Sequence, residues 1–181
     1  MHVRLFAGIP LDDAARSYVA AAVATLRQDG VRARWVPPVN WHVTLAFLGD
    51  VDDDRYAAIA AAFHSVVGRT SLALHLSHVG AFPSNKRPRV LWVGGEQSAE
   101  FDATAKAVRA AFAPLDFHFD DGDLQAHVTV GRANGAPMLL APRLEAPLAM
   151  PVTHIALFES VRAPAGVRYV EREVKAVDST P

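Results

Sequence analysis

The chain has 181 residues, enough for one compact domain, and its 51% apolar and 20% charged residues can bury a substantial core. Its formal charge of −1 excludes a global basic field for a nucleic-acid polymer, although a nucleic-acid end held at one phosphate requires none. The absence of cysteine excludes disulfides, thiolate metal sites and cysteine nucleophiles.

Apolar periodicity and turn residues predict an alternation of strands and helices. The first helix can be capped by Asp12 or Asp13 and ends at Gly30. A loop rich in Gly, Ala and Pro runs from Ala133 to about Pro142. In chain order, the predicted elements are a strand over residues 3–9, a helix with its apolar face from Ala15 to Leu26, strands over 31–36 and 41–48, a helix opening at Asp52–Asp54, strands over 72–76 and 89–93, a helix from Phe101 to Phe112, and strands over 124–131, 152–159 and 167–174.

This mixed order, with antiparallel return where connections are short, favours the α+β class over a doubly wound parallel sheet. No Pro- or Ser-rich linker divides the chain, so we expect a single domain over residues 1–181. The apolar run from His2 to Ile9 is too short for a signal-peptide core, and no stretch approaches the roughly 20 apolar residues of a membrane span. We therefore expect a cytoplasmic protein without membrane contact, and we expect it to act as a monomer.

One short internal repeat stands out. His42-Val43-Thr44-Leu45 lies in one predicted strand, and His127-Val128-Thr129-Val130 lies in another. Because alternate side chains of a strand share a face, each copy presents an imidazole and a hydroxyl together, while its apolar residues point into the packing. Two such strands facing one another would place two imidazoles and two hydroxyls around one small cavity.

Phosphoryl transfer needs little more than these four groups. One imidazole takes a proton from the attacking oxygen and the other gives a proton to the leaving oxygen, because the pKa of histidine lies near neutrality. The hydroxyls stabilise charge on the non-bridging oxygens. A single His-x-Thr on a strand is more often structural, and chance repetition is the alternative to a paired site. The residues alone do not say which histidine is the acid.

The sequence around the repeat resembles a known family over nearly the whole chain. The stretch from Arg34 to Gly49 closely resembles the first signature of the two-histidine phosphoesterases, and within that superfamily it is most similar to the bacterial RNA 2′,3′-cyclic phosphodiesterases, also called 2′-5′ RNA ligases. The stretch from Ala126 to Arg132 resembles the second signature. Two departures are Trp41, where an aliphatic residue is commoner, and Gly131, where alanine is commoner. The supporting similarities are Phe82-Pro83, Pro88 to Val93, Leu157 to Ser160, Gly166 and Tyr169.

The resemblance implies a bilobal α+β fold in which two antiparallel sheets, related by approximate two-fold symmetry, flank a central cleft, with helices on the outside. It implies that His42 is the proton donor and His127 the proton acceptor. Thr44 and Thr129 would hold the phosphate oxygens, and neither a metal nor another cofactor would be required.

Arg132, five residues beyond His127, is a further candidate for phosphate binding. Regular alternation puts it on the opposite face of the strand, unless Gly131 marks a bend that turns it round. A solvated arginine is the alternative.

Other candidate groups have plainer interpretations. Basic side chains at two places in the chain could receive an RNA backbone, although solvated surface charges are commoner; they are Lys86, Arg87, Arg89, Arg32 and Arg34. An aromatic side chain could stack on the terminal base, although core packing is commoner; the candidates are Trp35, Trp41, Phe47, Phe82 and Trp92. Acidic residues near the second motif could bind a metal, although a capped turn is the simpler interpretation; they are Asp120, Asp121 and Asp123.

These observations predict an enzyme that opens RNA 2′,3′-cyclic phosphate ends to 2′-phosphates, with reversible 2′-5′ ligation as a second activity of the same site. A phosphodiesterase for small cyclic nucleotides or ADP-ribose cyclic phosphate is the first alternative, because the site would be the same. A non-catalytic nucleotide-binding module is the second. The partners are then RNA ends or small cyclic-phosphate nucleotides.

Overall fold

A computed structural model describes residues 2–66, 72–96, 98–120, 124–133, 143–164 and 166–177. Within these ranges the chain forms nine strands and three α-helices, which confirms the α+β class. In chain order they are β1 (His2–Pro10), α1 (Asp13–Gln28), β2 (Arg34–Trp35), β3 (His42–Asp52), α2 (Tyr56–Ser65), β4 (Leu72–Phe82), β5 (Val90–Gly94), α3 (Ala99–Phe112), β6 (His127–Arg132), β7 (Arg143–Val152), β8 (His154–Ala163) and β9 (Gly166–Ala176). No helix in the described ranges is long and apolar enough to cross a membrane.

The strands form one antiparallel sheet in the order β7-β4-β5-β6-β3-β1-β8-β9, and β2 adds to β6. Its two four-stranded halves are built alike, because β1-α1-β3 in one half corresponds to β5-α3-β6 in the other. Between β3 and β6 the backbone register joins Val43 to Val128. The two sheets expected from the sequence are therefore the two halves of one sheet, and they meet at this residue pair.

The helices are held against the sheet by their apolar faces. In α1 the buried residues recur at helical spacing from Ala15 to Leu26, and the Asp12 side chain caps the helix by accepting the Ala15 N–H at 2.7 Å. The buried faces of α1 and α3 share one core with Val43 and Val128. The opposite side of β3 and β6 is thereby left for other side chains.

The strand predictions differ from the structure in several details. The segment β7 was missed because Pro147 and Pro151 argue against a strand, yet β7 ends the sheet order, and proline is tolerated in an edge strand. The strand predicted over 31–36 is reduced to Arg34–Trp35. The strand predicted to stop at Gly49 continues to Asp52, because Gly49 takes a φ of 78° at a register shift against β1.

Two predictions lie outside the described residues. They are the loop predicted from 133 to 142, of which the structure describes only Ala133, and the acidic residues Asp121 and Asp123.

Candidate active site

The two His-x-Thr copies face the same side of the sheet where its halves meet. Val43 and Val128 are directly paired and 1% and 0% exposed, so they point into the core. Because alternate residues point to opposite faces, His42 and Thr44 share the other face with His127 and Thr129. The antiparallel register makes the two histidines diagonal neighbours, a relation that separates residues by roughly 7–8 Å in a regular sheet, with their Cβ atoms somewhat closer.

Each motif strand carries a bulge directly after its threonine. Gly8 pairs with Thr44 but Ala7 with Ala46, so Leu45 is the extra residue in β3. Trp92 pairs with Thr129 but Leu91 with Gly131, which makes Val130 the extra residue in β6. A bulge reverses the alternation that follows it.

The bulges turn the fifth residue after each histidine onto the site face. On β3 this residue is Phe47, which is 52% exposed, and on β6 it is Arg132, which is also exposed. Regular alternation would have sent both to the core side. The sequence allows a bend at Gly131 that would turn Arg132 toward the site. The structure has such a bend one residue earlier, at Val130.

His42 lies in an aromatic setting with both ring nitrogens engaged. The Phe6, Tyr169 and Phe158 rings have centroids 4.6, 5.1 and 5.7 Å from its own. Nδ1 donates to the Asn40 carbonyl oxygen at 2.7 Å, and since a carbonyl can only accept, this bond assigns the proton to Nδ1. Nε2 of the neutral ring then accepts from the Thr44 hydroxyl at 3.0 Å.

His127 is held in the same manner in the other half. Its Nδ1 donates to the Gln125 carbonyl oxygen at 2.8 Å, which leaves the lone pair of the neutral ring on Nε2. The Phe82 ring stands edge-on at 5.0 Å and the Trp92 ring at 6.4 Å. A Cβ at Gly80 would stand 2.2 Å from Trp92 Cζ2, so only glycine leaves room for this indole beside the histidine.

The surroundings of both histidines favour their neutral forms. Desolvation is the main reason that the pKa of His42 falls to about 4; the hydrogen bond to Asn40 opposes this change and the charge of a protonated His127 adds to it. Desolvation also lowers the pKa of His127, against the hydrogen bond to Gln125. Because two protonated rings would repel each other, the pair holds at most one proton near neutrality.

Comparison with known proteins identifies the family. The family model for LigT-like phosphoesterases matches residues 9–92, which include the first motif. An RNA 2′,3′-cyclic phosphodiesterase of Archaeoglobus fulgidus is 36% identical over 131 residues, which is 72% of each chain. The chain belongs to the LigT-like phosphoesterase family. The family resemblance noted in the sequence is thereby confirmed.

Other LigT-like proteins extend the similarity to nearly the full length. An RNA 2′,3′-cyclic phosphodiesterase of Methanothermobacter thermautotrophicus is 29% identical over 188 aligned positions, covering 96% of this chain and 98% of its own. The structure of TT0787 of Thermus thermophilus has a TM-score of 0.81 at 24% identity, covering 97% and 98% of the two chains. The structure of Escherichia coli LigT complexed with 3′-AMP has a TM-score of 0.78 at 26% identity, with the same coverage.

The LigT-like fold brings some of the predicted residues together and leaves others apart. Both histidines, both threonines and Arg132 share the site face. Lys86 and Arg87 lie in the exposed turn between β4 and β5. Among the aromatic candidates, Trp41 is buried and donates through Nε1 to the Val36 carbonyl oxygen, whereas Phe47 is more than half exposed. In the part of the chain that the structure describes, no three His, Asp or Glu side chains converge as metal ligands would.

Sequence reasoning missed Asn40 and Gln125, which stand two residues before the histidines. The Asn40 side chain is buried and bridges to β9, donating to the Val167 carbonyl oxygen at 2.7 Å and accepting the Tyr169 N–H at 3.0 Å. Gln125 donates to the Gly95 carbonyl oxygen at 2.9 Å. These bonds fix the two backbone carbonyls that orient the rings. The sequence offered one signal for these residues: a carboxamide side chain stands two positions before the histidine of both motifs.

Proposed function

We propose that this LigT-like protein hydrolyses RNA 2′,3′-cyclic phosphate ends to 2′-phosphates by metal-independent catalysis with His42 and His127. The observation that carries the proposal is the matched orientation of the two rings. Each Nδ1 is bound to a backbone carbonyl, so each Nε2 is the atom for proton transfer, and both rings share one face of the sheet. The names of the relatives from Archaeoglobus and Methanothermobacter support the substrate class.

In the proposed reaction, His127 Nε2 takes a proton from water as the water oxygen bonds to phosphorus. The bond from phosphorus to the 3′-oxygen breaks on the opposite side, and His42 Nε2 donates its proton to that oxygen. The product carries a 2′-phosphate and a 3′-hydroxyl. A proton then returns from His127 to His42 through solvent. Thr44, Thr129 and Arg132 stabilise the non-bridging oxygens.

Because the pKa of His42 is low in the free protein, His42 can serve as the acid only if the bound substrate raises that pKa. An anionic phosphodiester beside the ring stabilises the imidazolium and raises its pKa on binding. Protonation also reverses the hydrogen bond with Thr44, because Nε2 becomes a donor and the Thr44 oxygen accepts. The Thr44 O–H then turns and donates its hydrogen bond to a phosphate oxygen. Substrate binding thus protonates His42, the acid, and at the same time turns the Thr44 hydroxyl into a donor to the phosphate.

Phe47 is the aromatic side chain that we assign to the terminal base. It combines exposure with a place on the site face, three residues beyond Thr44. Stacking on an aromatic ring holds an unpaired base without selecting its identity. Such a contact would orient the ribose so that the 3′-oxygen, and not the 2′-oxygen, lies in reach of His42.

A direct assay tests the proposal. An oligonucleotide with a 2′,3′-cyclic phosphate end is incubated with the purified protein in excess EDTA, and the opened end is identified by phosphorus NMR. We expect turnover that chelation leaves unchanged and one dominant product, the 2′-phosphate, because one fixed acid can serve one leaving oxygen well. A dominant 3′-phosphate would reverse the assigned orientation of the ribose. Activity that EDTA abolishes and a divalent ion restores would refute the mechanism.

The lowered pKa values predict the pH dependence of kcat/KM. Activity requires a proton on His42, lost as pH rises through a pKa of about 4, and a neutral His127, lost as pH falls through a pKa below 6.5. We therefore expect a bell-shaped profile whose maximum lies below neutral pH and whose alkaline limb is already falling at neutrality. The kcat profile should lie at higher pH, because the bound anion raises the pKa of His42. A kcat/KM that stays level from pH 7 upward would contradict the assignment of His42 as the acid.

The same geometry supports ligation. A 5′-hydroxyl in place of water would give a 2′-5′ bond when His127 takes its proton and the 3′-oxygen leaves. We further propose that residues 1–181 act as one unit, as a monomer and in the cytoplasm. A mass measurement in solution and localisation of the tagged protein test the last two points.

A further inference from the structure

A second cationic position lies on the site face beside Arg132. Arg34 of β2 pairs directly with Arg132 of β6, and Trp35 pairs with Gly131. Directly opposed residues share a face, so Arg34 stands on the site face while Trp35 turns to the core. The fit is close, since a Cβ at Gly131 would lie 3.2 Å from both Ala33 Cβ and Trp35 Cε3. A side chain there would make these neighbours give way by a few tenths of an ångström, so β2 packs closely against Gly131.

The two guanidinium groups form an unneutralised pair. Both side chains are exposed, and neither takes part in an ion pair with any acidic residue in the described ranges. Like charges directly opposite one another in a sheet are unfavourable unless an anion lies between them. The protein as a whole carries a net charge of −1, so this pair is a local feature.

We infer that Arg34, next to Arg132, binds an internucleotide phosphate of the substrate, upstream of the cyclic phosphate that reacts. The inference rests on the proposed function and adds the residue that distinguishes a polynucleotide end from a free cyclic mononucleotide. Guanidinium groups suit phosphate because they donate two parallel hydrogen bonds.

The spacing separates this position from the reacting phosphate. Arg132 follows Thr129 by three residues of strand, a span of at most about 10 Å, and Arg34 stands directly opposite Arg132, on the edge of β6 that also pairs with β3. A mononucleotide held between His42 and His127 has no second phosphate to offer there. An oligonucleotide end has one at each linkage.

The test compares three substrates with cyclic phosphate ends: a mononucleotide, a trinucleotide, and the same trinucleotide with uncharged methylphosphonate linkages. In the wild-type protein we expect the charged trinucleotide to have the highest kcat/KM, by about tenfold over its uncharged analogue, mainly through KM. Arg34→Gln should remove most of that advantage and alter the uncharged substrates at most about twofold. Arg34→Lys should keep part of the advantage, because it keeps the charge but not the paired donors.

The matched control is Lys106→Gln, which removes the same charge from an exposed position of α3, the helix that packs on the core side of the sheet. It should leave all three substrates unchanged. Arg34→Gln would overturn the inference if it lowered kcat/KM equally for all substrates or if the wild-type preference survived it.

Failure of the proposed function would give a different pattern. If the wild-type protein opened none of the cyclic phosphates, binding of a fluorescent trinucleotide ending in a 2′-phosphate would still test Arg34 alone. Weaker binding by Arg34→Gln, with a smaller salt dependence, would support the phosphate site. Unchanged binding would overturn it.

Discussion

Replacing either His42 or His127 with alanine lowers the rate of cyclic phosphate opening by roughly 10²–10⁴-fold, the usual worth of one acid or base group. The double variant should be little worse than the worse single variant, because an acid without its base, or a base without its acid, completes no proton circuit. Initial rates of single-turnover reactions measure the effect without interference from product release.

The control for this prediction is His75→Ala, a change of the same chemistry at an exposed position of β4. It should retain full activity. The thermal unfolding midpoints of the histidine variants, compared with wild type, verify that the fold is intact. Losses that multiply in the double variant would mean that the two rings act on separate steps and do not form one circuit.

Asn40→Ala is expected to lower kcat by about 10–100-fold although Asn40 touches no reacting atom. The substitution leaves the Val167 carbonyl and the Tyr169 N–H without their partner and releases the carbonyl that orients His42. Each buried group left unpaired costs about 1–3 kcal/mol of stability, so urea unfolding should show a clear loss.

The pH profile separates this positioning role from a purely structural one. Desolvation is the main cause of the low pKa of His42, so a looser β9 that admits water should raise that pKa and move the maximum of the kcat/KM profile to higher pH. Asn40→Asp should also fail, because a carboxylate would face the Val167 carbonyl in place of a donor. Asn85→Ala, in the exposed turn after β4, serves as the control. An Asn40→Ala enzyme with a stability loss but an unshifted profile would refute the positioning role.

The sequence contains enough to predict the pairing of the two motifs and their chemistry. Alternation alone places His42 with Thr44, and the repetition of that pattern at His127 suggests a shared site. The α+β class follows from the order of elements, and the apolar faces of α1 and α3 were visible as helical periodicity.

What could not be predicted depends on contacts between distant segments. The bulges at Leu45 and Val130 cannot be predicted from the sequence, because each extra residue is apolar and fits the pattern of a regular strand. The positions of Phe47 and Arg132 on the site face, and so their proposed roles, depend on those bulges. The bridge from Asn40 to residues 167–169 joins positions more than a hundred residues apart, and no local rule anticipates it.

The two halves of the sheet meet where Val43 pairs with Val128, and this pairing has a consequence for how the specificity of the enzyme can change. Each half of the sheet carries one histidine with its tautomer fixed and a threonine on the same face, so the proposed acid and the proposed base come from different halves. The distance between the proposed acid and the proposed base therefore depends on how the two halves pack where Val43 meets Val128. Small changes of side-chain volume at these two valines would alter that distance and leave the histidines and threonines unchanged. Specificity for phosphates of different size could thus evolve through two buried valines that point away from the site.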